Sequence, residues 1–207
     1  MKKRVRKEPE VRRAEIMDAA SRLFLSKGYQ STTVDDIVGE AGVGKGTFYL
    51  YFESKPQVLV AIIERIQEEI WEEMQEAADS PGDARARLYM CLARLMEGYR
   101  KNEELMELLH MAGPETAHER LKSRSWEKMR ALFKSLLEDS IEEGYRYLVS
   151  VDETVDYILA ILDGVSQHVH SPQSSLTMES AARLGSLLMQ AFILDPGTEG
   201  LKRERGT

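Results

Sequence analysis

Residues 32–55 read TTVDDIVGEAGVGKGTFYLYFESK. Val34, Ile37, Val38 and Ala41 recur at i, i+3, i+4 and i+7, the spacing of one apolar helix face. Thr33 precedes that face, where a hydroxyl can accept an orphan amide of the first turn. Asp36 stands three residues further on, close to a capping box, and Asp35 and Asp36 suit the positive end of a helix. Gly42 sits where a sharp turn needs a residue free to take a positive φ. A second short helix is predicted over Lys45–Phe52. Phe48 and Phe52 lie on its inner side, and Lys45, Thr47, Tyr49 and Tyr51 on its other faces. Two short helices around a glycine turn make a helix-turn-helix, a motif whose second helix enters the DNA major groove.

Working outward, residues 10–27 carry a stripe of Ile16, Ala19, Ala20, Leu23 and Phe24 that stops at Gly28. After the motif, Ser54-x-x-Gln57 with Pro56 reads as a capped helix start. From there Val58, Leu59, Ile62, Ile63, Ile66, Ile70 and Met74 run at helical spacing to about Ala78. Asp79–Asp83 (DSPGD) breaks the pattern. Helices are then predicted over 84–100, 103–111 and 115–143, the last ending at Gly144. Ser150-x-x-Glu153 caps another, with Val155, Ile158, Leu159, Leu162, Val165 and Val169. A final helix is predicted over 176–194. No alternating strand pattern and no internal repeat of useful length occurs. The expectation is an all-α fold of about nine helices. Residues 1–55 form a three-helix DNA-binding head with a basic arm, 56–196 a larger helical body, and 197–207 a charged tail.

The chain has 207 residues, 43% hydrophobic and 30% charged, as expected for a globular protein with a sizeable core. No apolar run approaches the roughly 18 residues of a membrane helix, and no apolar signal segment follows the basic start, so a cytoplasmic location is expected. The lone Cys91 excludes an internal disulfide and reads as a small buried hydrophobe. The net charge of −7 is unevenly spread. Residues 1–55 hold 11 Lys/Arg and 8 Asp/Glu, and residues 56–207 hold 17 and 27. The basic end suits a polyanion, and the acidic remainder suits a body turned away from it.

Residues 28–59, GYQSTTVDDIVGEAGVGKGTFYLYFESKPQVL, resemble the DNA-binding signature of the tetracycline-repressor (TetR) family of bacterial regulators. The resemblance rests on Gly28-Tyr29 after the first helix, T-T-V-x-x-I opening the second, A-G-V at the turn, K-G-T-F-Y-x-Y-F on the third, and Ser54-Lys55 opening the fourth. It covers about a fifth of the chain, and it implies that the helical body at 56–196 is a ligand-binding and dimerisation domain. Gly44 stands where Ser is common, and Gly46 loosens the start of the third helix. The resemblance implies that Lys45, Gly46 and Thr47 contact base edges. It implies that Tyr49 and Tyr51 reach phosphates or a base edge, and that Thr33 and Lys55 hold phosphates at helix N-termini. The side-chain chemistry agrees, since lysine donates to guanine acceptors or phosphate and the threonine methyl can meet a thymine methyl.

Other sharp readings are weaker. GEAGVGKGT at 39–47 nearly spells a phosphate-binding loop, but Gly46 replaces the required Ser/Thr and no strand precedes it. His168 and His170 are two apart, and a helix does not place such a pair on one face, while His110 and His118 add no ligand spacing. No nucleophile–base pair follows from spacing, so no enzyme, cofactor or metal is expected. In the body, aromatic and methionine side chains can be core or can line an effector pocket, with Trp71, Tyr99, Met106, His110 and Trp126 as pocket candidates. The last two helices are apolar over wide arcs, suggesting a twofold bundle dimer through Leu162, Val165, Leu184 and Leu188. The expected partners are double-stranded DNA with a palindromic operator, a small apolar or aromatic effector and a second copy of the chain, with no membrane. The expected function is a ligand-responsive repressor. The alternatives are an activator of the same family and a helical interaction module that does not read DNA.

Overall fold

Helix α1 (Pro9–Lys27) starts on a proline, whose missing N–H costs nothing in a first turn, and ends at Gly28. It opens a computed structural model that describes residues 8–112, 115–169 and 193–194, with side-chain surroundings for 8–108 and 120–165. The remaining helices are α2 (Val34–Glu40), α3 (Lys45–Tyr49), α4 (Lys55–Ala78), α5 (Ala84–Lys101), α6 (Glu103–Ala112), α7 (Glu115–Glu142) and α8 (Val151–Val169). Among the described residues the fold is all-α apart from one short antiparallel pairing, Arg146–Tyr147 with Ile193–Leu194.

Two sequence expectations change. Helix α3 ends at Tyr49 and not at Phe52. The chain beyond it still closes backbone bonds onto Phe48 O, from Tyr51 N at 2.9 Å and Phe52 N at 3.0 Å, so Phe52 keeps its inward position without a further helical turn. Ile193 and Leu194, expected to finish a helix, are extended and paired with a strand. The rest of that helix, with Leu184 and Leu188, lies outside the described residues.

The caps follow the sequence closely. Ser150 and Glu153 form a reciprocal box, Ser150 N donating to Glu153 Oε2 at 3.0 Å and Glu153 N to Ser150 Oγ at 3.3 Å. At α4, Gln57 N donates to Ser54 Oγ, but the Gln57 side-chain oxygen takes the amide of Glu53 at 2.6 Å. The second half of the box has shifted by one residue.

The chain divides into two compact units, Met1–Glu68 with Asn102–Leu121 and Glu69–Lys101 with Lys122–Thr207. In the first, α1 packs on α2 and α6, and α2 on α3. Its core gathers Ile16, Ala20 and Phe24, Ile37, Phe48 and Phe52, and Val58, Leu59, Ile62 and Ile63, all buried. Each of the larger side chains contributes roughly 1.5–3 kcal/mol by leaving water, and Ala20 less. In the second unit, α4 and α5 run antiparallel. Ile70 meets Gly98, Cys91 Sγ lies 3.2 Å from Met74 O, and Arg87 donates to Ala78 O. Burial pushes the Cys91 thiol up to about 11, so it is a packed apolar group. Helices α7 and α8 are also antiparallel, shown by the ion pairs Lys122–Asp163, Arg130–Asp156 and Lys134–Asp152.

Candidate DNA interface

Helix α2 is built to begin and stop abruptly. Thr33 caps it in an extended conformation, its hydroxyl accepting from Asp36 N while the Asp36 carboxylate accepts from Thr33 N. At the other end Gly42 takes φ 63°. Gly42 N donates to Gly39 O and Val43 N to Val38 O, the paired bonds of a glycine-terminated helix. That turn delivers the chain to α3 within three residues. Gly44 is the N-cap of α3 and makes no side-chain capping bond, as its missing hydroxyl requires. A Cβ at Gly44 or Gly46 would meet nothing within 4 Å, so both glycines face open space.

Helix α3 is held from one side only. Phe48 is fully buried, with its ring edge-on to Tyr49 at 5.3 Å and tilted against Phe52 at 6.0 Å. The Arg13 guanidinium lies over the Phe52 ring at 5.1 Å. The other faces are open. Lys45 and Gly46 are exposed, Tyr49 is 56% exposed and Leu50 80% exposed, with Thr47 and Tyr51 half-buried. Lys45, Gly46, Thr47 and Tyr49 thus sit together on one short exposed helix, with Tyr51 in the turn after it. Leu50 joins them, although a leucine inside an apolar-rich stretch reads as core from sequence.

Thr33 and Lys55 are placed differently from that group. The Thr33 hydroxyl donates to Asp36 Oδ2 at 2.7 Å as well as capping α2. The Lys55 ammonium points inward onto three carbonyls, Tyr29 O at 2.7 Å, Thr32 O at 2.8 Å and Gln30 O at 3.5 Å, and lies 4.2 Å from the centre of the Tyr29 ring. Desolvation holds its pKa below the usual lysine value. An ammonium has three protons, and these contacts engage them. The geometry therefore redirects Lys55 from the phosphate contact implied by the resemblance to a tie between the α1–α2 loop and the start of α4. Thr32, which sequence reasoning passed over, is buried beside it and donates to Gly28 O at 2.8 Å.

The charges of this unit form a pattern that sequence spacing concealed. Each acid of α2 holds a cation: Asp35 pairs with Lys45 at 2.8 Å, Asp36 with Lys27 at 2.7 Å, and Glu40 with Arg22 at 3.1 Å. Lys27 first, then the Thr33 hydroxyl and amide, hold the Asp36 carboxyl well below the usual carboxylate range. A carboxyl whose pKa is lowered by folding adds stability above its unfolded value of about 4, lost as pH falls below that toward the folded value. Thermal melts between about pH 6 and pH 2.5 should therefore show a steeper acid loss for the wild type than for Asp36→Asn. Parallel curves would remove Asp36 from the account.

The proposed pocket residues do not gather in one unit. Trp71, Tyr99 and Trp126 belong to the second unit and are half-buried. Burial raises the Tyr99 phenol. The Lys128 ammonium lies over the Trp71 ring at 5.2 Å and that of Lys122 over Trp126 at 5.4 Å. Met106 is buried in the first unit, where His110 also falls, its side chain outside the described residues. Sequence reading missed Glu73 of α4, whose Oε2 is buried with no hydrogen-bond partner in the structure. Of the dimer candidates, Leu162 is half-buried and Val165 buried. His168 and His170 lie outside the described side chains. Among the described residues no helix is long and apolar enough to cross a membrane.

Comparison with known proteins points to the same stretch of the chain. The family model for bacterial regulatory proteins of the tetR family matches residues 16–62, which span α1 to the first turns of α4. The chain is 29% identical to the HTH-type transcriptional regulator AcrR of Shigella flexneri, over 95% of this chain and 96% of that one. It is 26% identical to the HTH-type transcriptional repressor KstR2 of Rhodococcus jostii, over 83% and 86%. Among solved structures, a TetR transcription regulator from Haloarcula marismortui superposes with a TM-score of 0.74 at 22% identity, over 89% of this chain and all of that one. A TetR/AcrR-family regulator from Thermobifida fusca gives 0.71 at 24%, over 86% and 96%. These likenesses show the fold. The relatives are transcriptional regulators and not enzymes. Its capped α2, its glycine turn, its short exposed α3 and these matches together identify residues 16–62 as a DNA-binding region of the tetR family of bacterial regulatory proteins, in a chain similar over most of its length to HTH-type transcriptional regulators.

Proposed function

We propose that the chain is a homodimeric repressor that binds a palindromic operator and is released by a small apolar or aromatic molecule. The observation that carries this reading is the one-sided burial of α3. Phe48 anchors the helix, and Lys45, Gly46, Thr47 and Tyr49 are left at its surface. One such helix spans few base pairs, whereas two related by a twofold axis read half-sites a helical turn or more apart. On this reading residues 1–55 are the DNA-binding head and 56–196 the effector and dimer region, with 197–207 a tail. Helix α4, which runs without a break from Lys55 to Ala78, is the element through which effector binding would alter the heads. Such couplings are typically about 1–3 kcal/mol. In the effector region Trp71, Tyr99 and Trp126 supply apolar walls. The buried, unpartnered Glu73 oxygen favours an effector that also carries a hydrogen-bond donor. Leu162 and Val165 are the described members of the proposed dimer face. KstR2, a relative named a repressor that matches over 83% of this chain, supports repression.

Selection of duplexes from a randomised pool, followed by titration, tests the reading. Enrichment of a palindrome is expected, and a protein that enriches no sequence would refute it. Lys45→Ala should weaken binding to the enriched duplex by about 10-fold or more and relax its preference at one position of each half-site, the size of one good base contact. Lys55→Ala should lower the melting temperature and leave the salt dependence of binding unaltered, because its ammonium serves the fold. A salt slope reduced by about one for Lys55→Ala would restore it as a phosphate contact.

A further inference from the structure

We propose that Asp35 is a specificity-determining residue of the head, holding Lys45 and competing with phosphate for its ammonium. The proposal rests on the reading of α3 as the DNA-contacting helix. Asp35 and Lys45 lie on different helices of the motif, with Nζ and Oδ1 2.8 Å apart. Their side chains are 66% and 60% exposed. The carboxylate raises the pKa of Lys45, so the ammonium stays charged. An exposed ion pair of this kind adds little to stability. Asp35 also has no part in the capping box, which belongs to Thr33 and Asp36. Neither the capping box nor the core requires this pair, which lies on the open surface of the motif.

That surface is where the duplex arrives. Non-specific binding comes from lysine and arginine meeting phosphates and releasing their counterions. A lysine already compensated by a carboxylate gains less from a phosphate, and the phosphate also meets the charge of Asp35. A base edge differs, because guanine N7 and O6 are neutral acceptors. An ammonium with three protons can keep Asp35 and still donate to them. The pair therefore penalises the phosphate contact common to every sequence more than the base contact found on the matching one. Asp36 and Glu40 hold Lys27 and Arg22 of α1 in the same manner, but only Asp35 reaches a residue of α3.

The test compares a random-sequence duplex with one enriched on the wild-type protein, by fluorescence anisotropy across salt concentrations. Asp35→Asn is expected to raise affinity for the random duplex about 3- to 10-fold at about 0.1 M salt and to steepen its salt slope by about one. Affinity for the enriched duplex should change by less than about twofold, so the specificity ratio falls. Glu40→Gln removes the same charge from the same helix and should leave the ratio in place. The effect of Asp35→Asn should vanish in a Lys45→Ala background. Asp35→Ser serves as a second variant, and melting curves establish that both fold. An unchanged ratio in both variants, or an equal fall in Glu40→Gln or in the Lys45→Ala background, overturns the proposal alone. A wild type that enriches no sequence overturns the DNA reading and the proposal with it.

Discussion

Phe48→Ala is expected to open the DNA-binding head and abolish duplex binding. Phe48 has no exposed surface, and its ring is the inward anchor of a helix of five residues. So short a helix has almost no stability of its own, because helix nucleation is costly and only packing offsets it. Truncating a buried phenylalanine costs about 3–5 kcal/mol through lost burial and the cavity left behind. Much of a small unit's stability is of that size. Hydrogen exchange of peptides from residues 16–62 should accelerate by about two to three orders of magnitude, since each 1.4 kcal/mol is a factor of ten in opening. Phe48→Leu, which refills much of the volume, should retain most of the protection. Tyr49→Ala, at the next residue but more than half exposed, should leave exchange nearly unaltered and weaken duplex binding. If Phe48→Ala exchanged like the wild type, the one-sided anchoring of α3 would be wrong.

Gly98→Ala is expected to destabilise the second unit, against the usual direction for a helix interior. Replacing a mid-helix glycine by alanine ordinarily gains about 1 kcal/mol in helix propensity. At Gly98 an added Cβ would lie 2.3 Å from Ile70 Cγ1, 2.8 Å from its Cδ1 and 3.3 Å from its Cβ. The isoleucine is branched at Cβ and fully packed, so it cannot swing clear, and α4 and α5 must separate. Overpacking of this kind costs about 1–3 kcal/mol, enough to reverse the sign. Gly98→Leu should cost more. Ile70→Ala removes Cγ1 and Cδ1, so the double variant Ile70→Ala/Gly98→Ala should be more stable than the sum of the single effects predicts. Additive losses, measured by urea denaturation followed by circular dichroism, would show that the close approach is not the constraint.

How much of the site could be read beforehand differs from residue to residue. Thr33, Asp36, Gly42 and Phe48 were legible because each acts on neighbours within a few positions, by capping, turning or facing inward. Lys45, Gly46, Thr47 and Tyr49 could be placed on one exposed helix for the same reason. The inward turn of Lys55 could not be read beforehand. Its partners are 23 to 26 residues away in sequence, and no local rule shows that three carbonyls will converge on its ammonium. Asp35 looked like a charge suited to a helix end, and its pairing with Lys45 depends on the angle at which the glycine turn sets α3 against α2.

The sequence by itself determined helices α1 to α8 to within a few residues, most of their caps and breaks, the helix-turn-helix and the likeness of that region to the TetR family, since periodicity, caps and turn glycines are properties of adjacent residues. It also separated a basic end from an acidic remainder. Only the tertiary structure decided where charge is already spent within the head and where α4 and α5 touch through Gly98. It likewise decided that Ile193–Leu194 pairs as a strand. Those outcomes depend on contacts between distant segments, which a one-dimensional pattern does not encode.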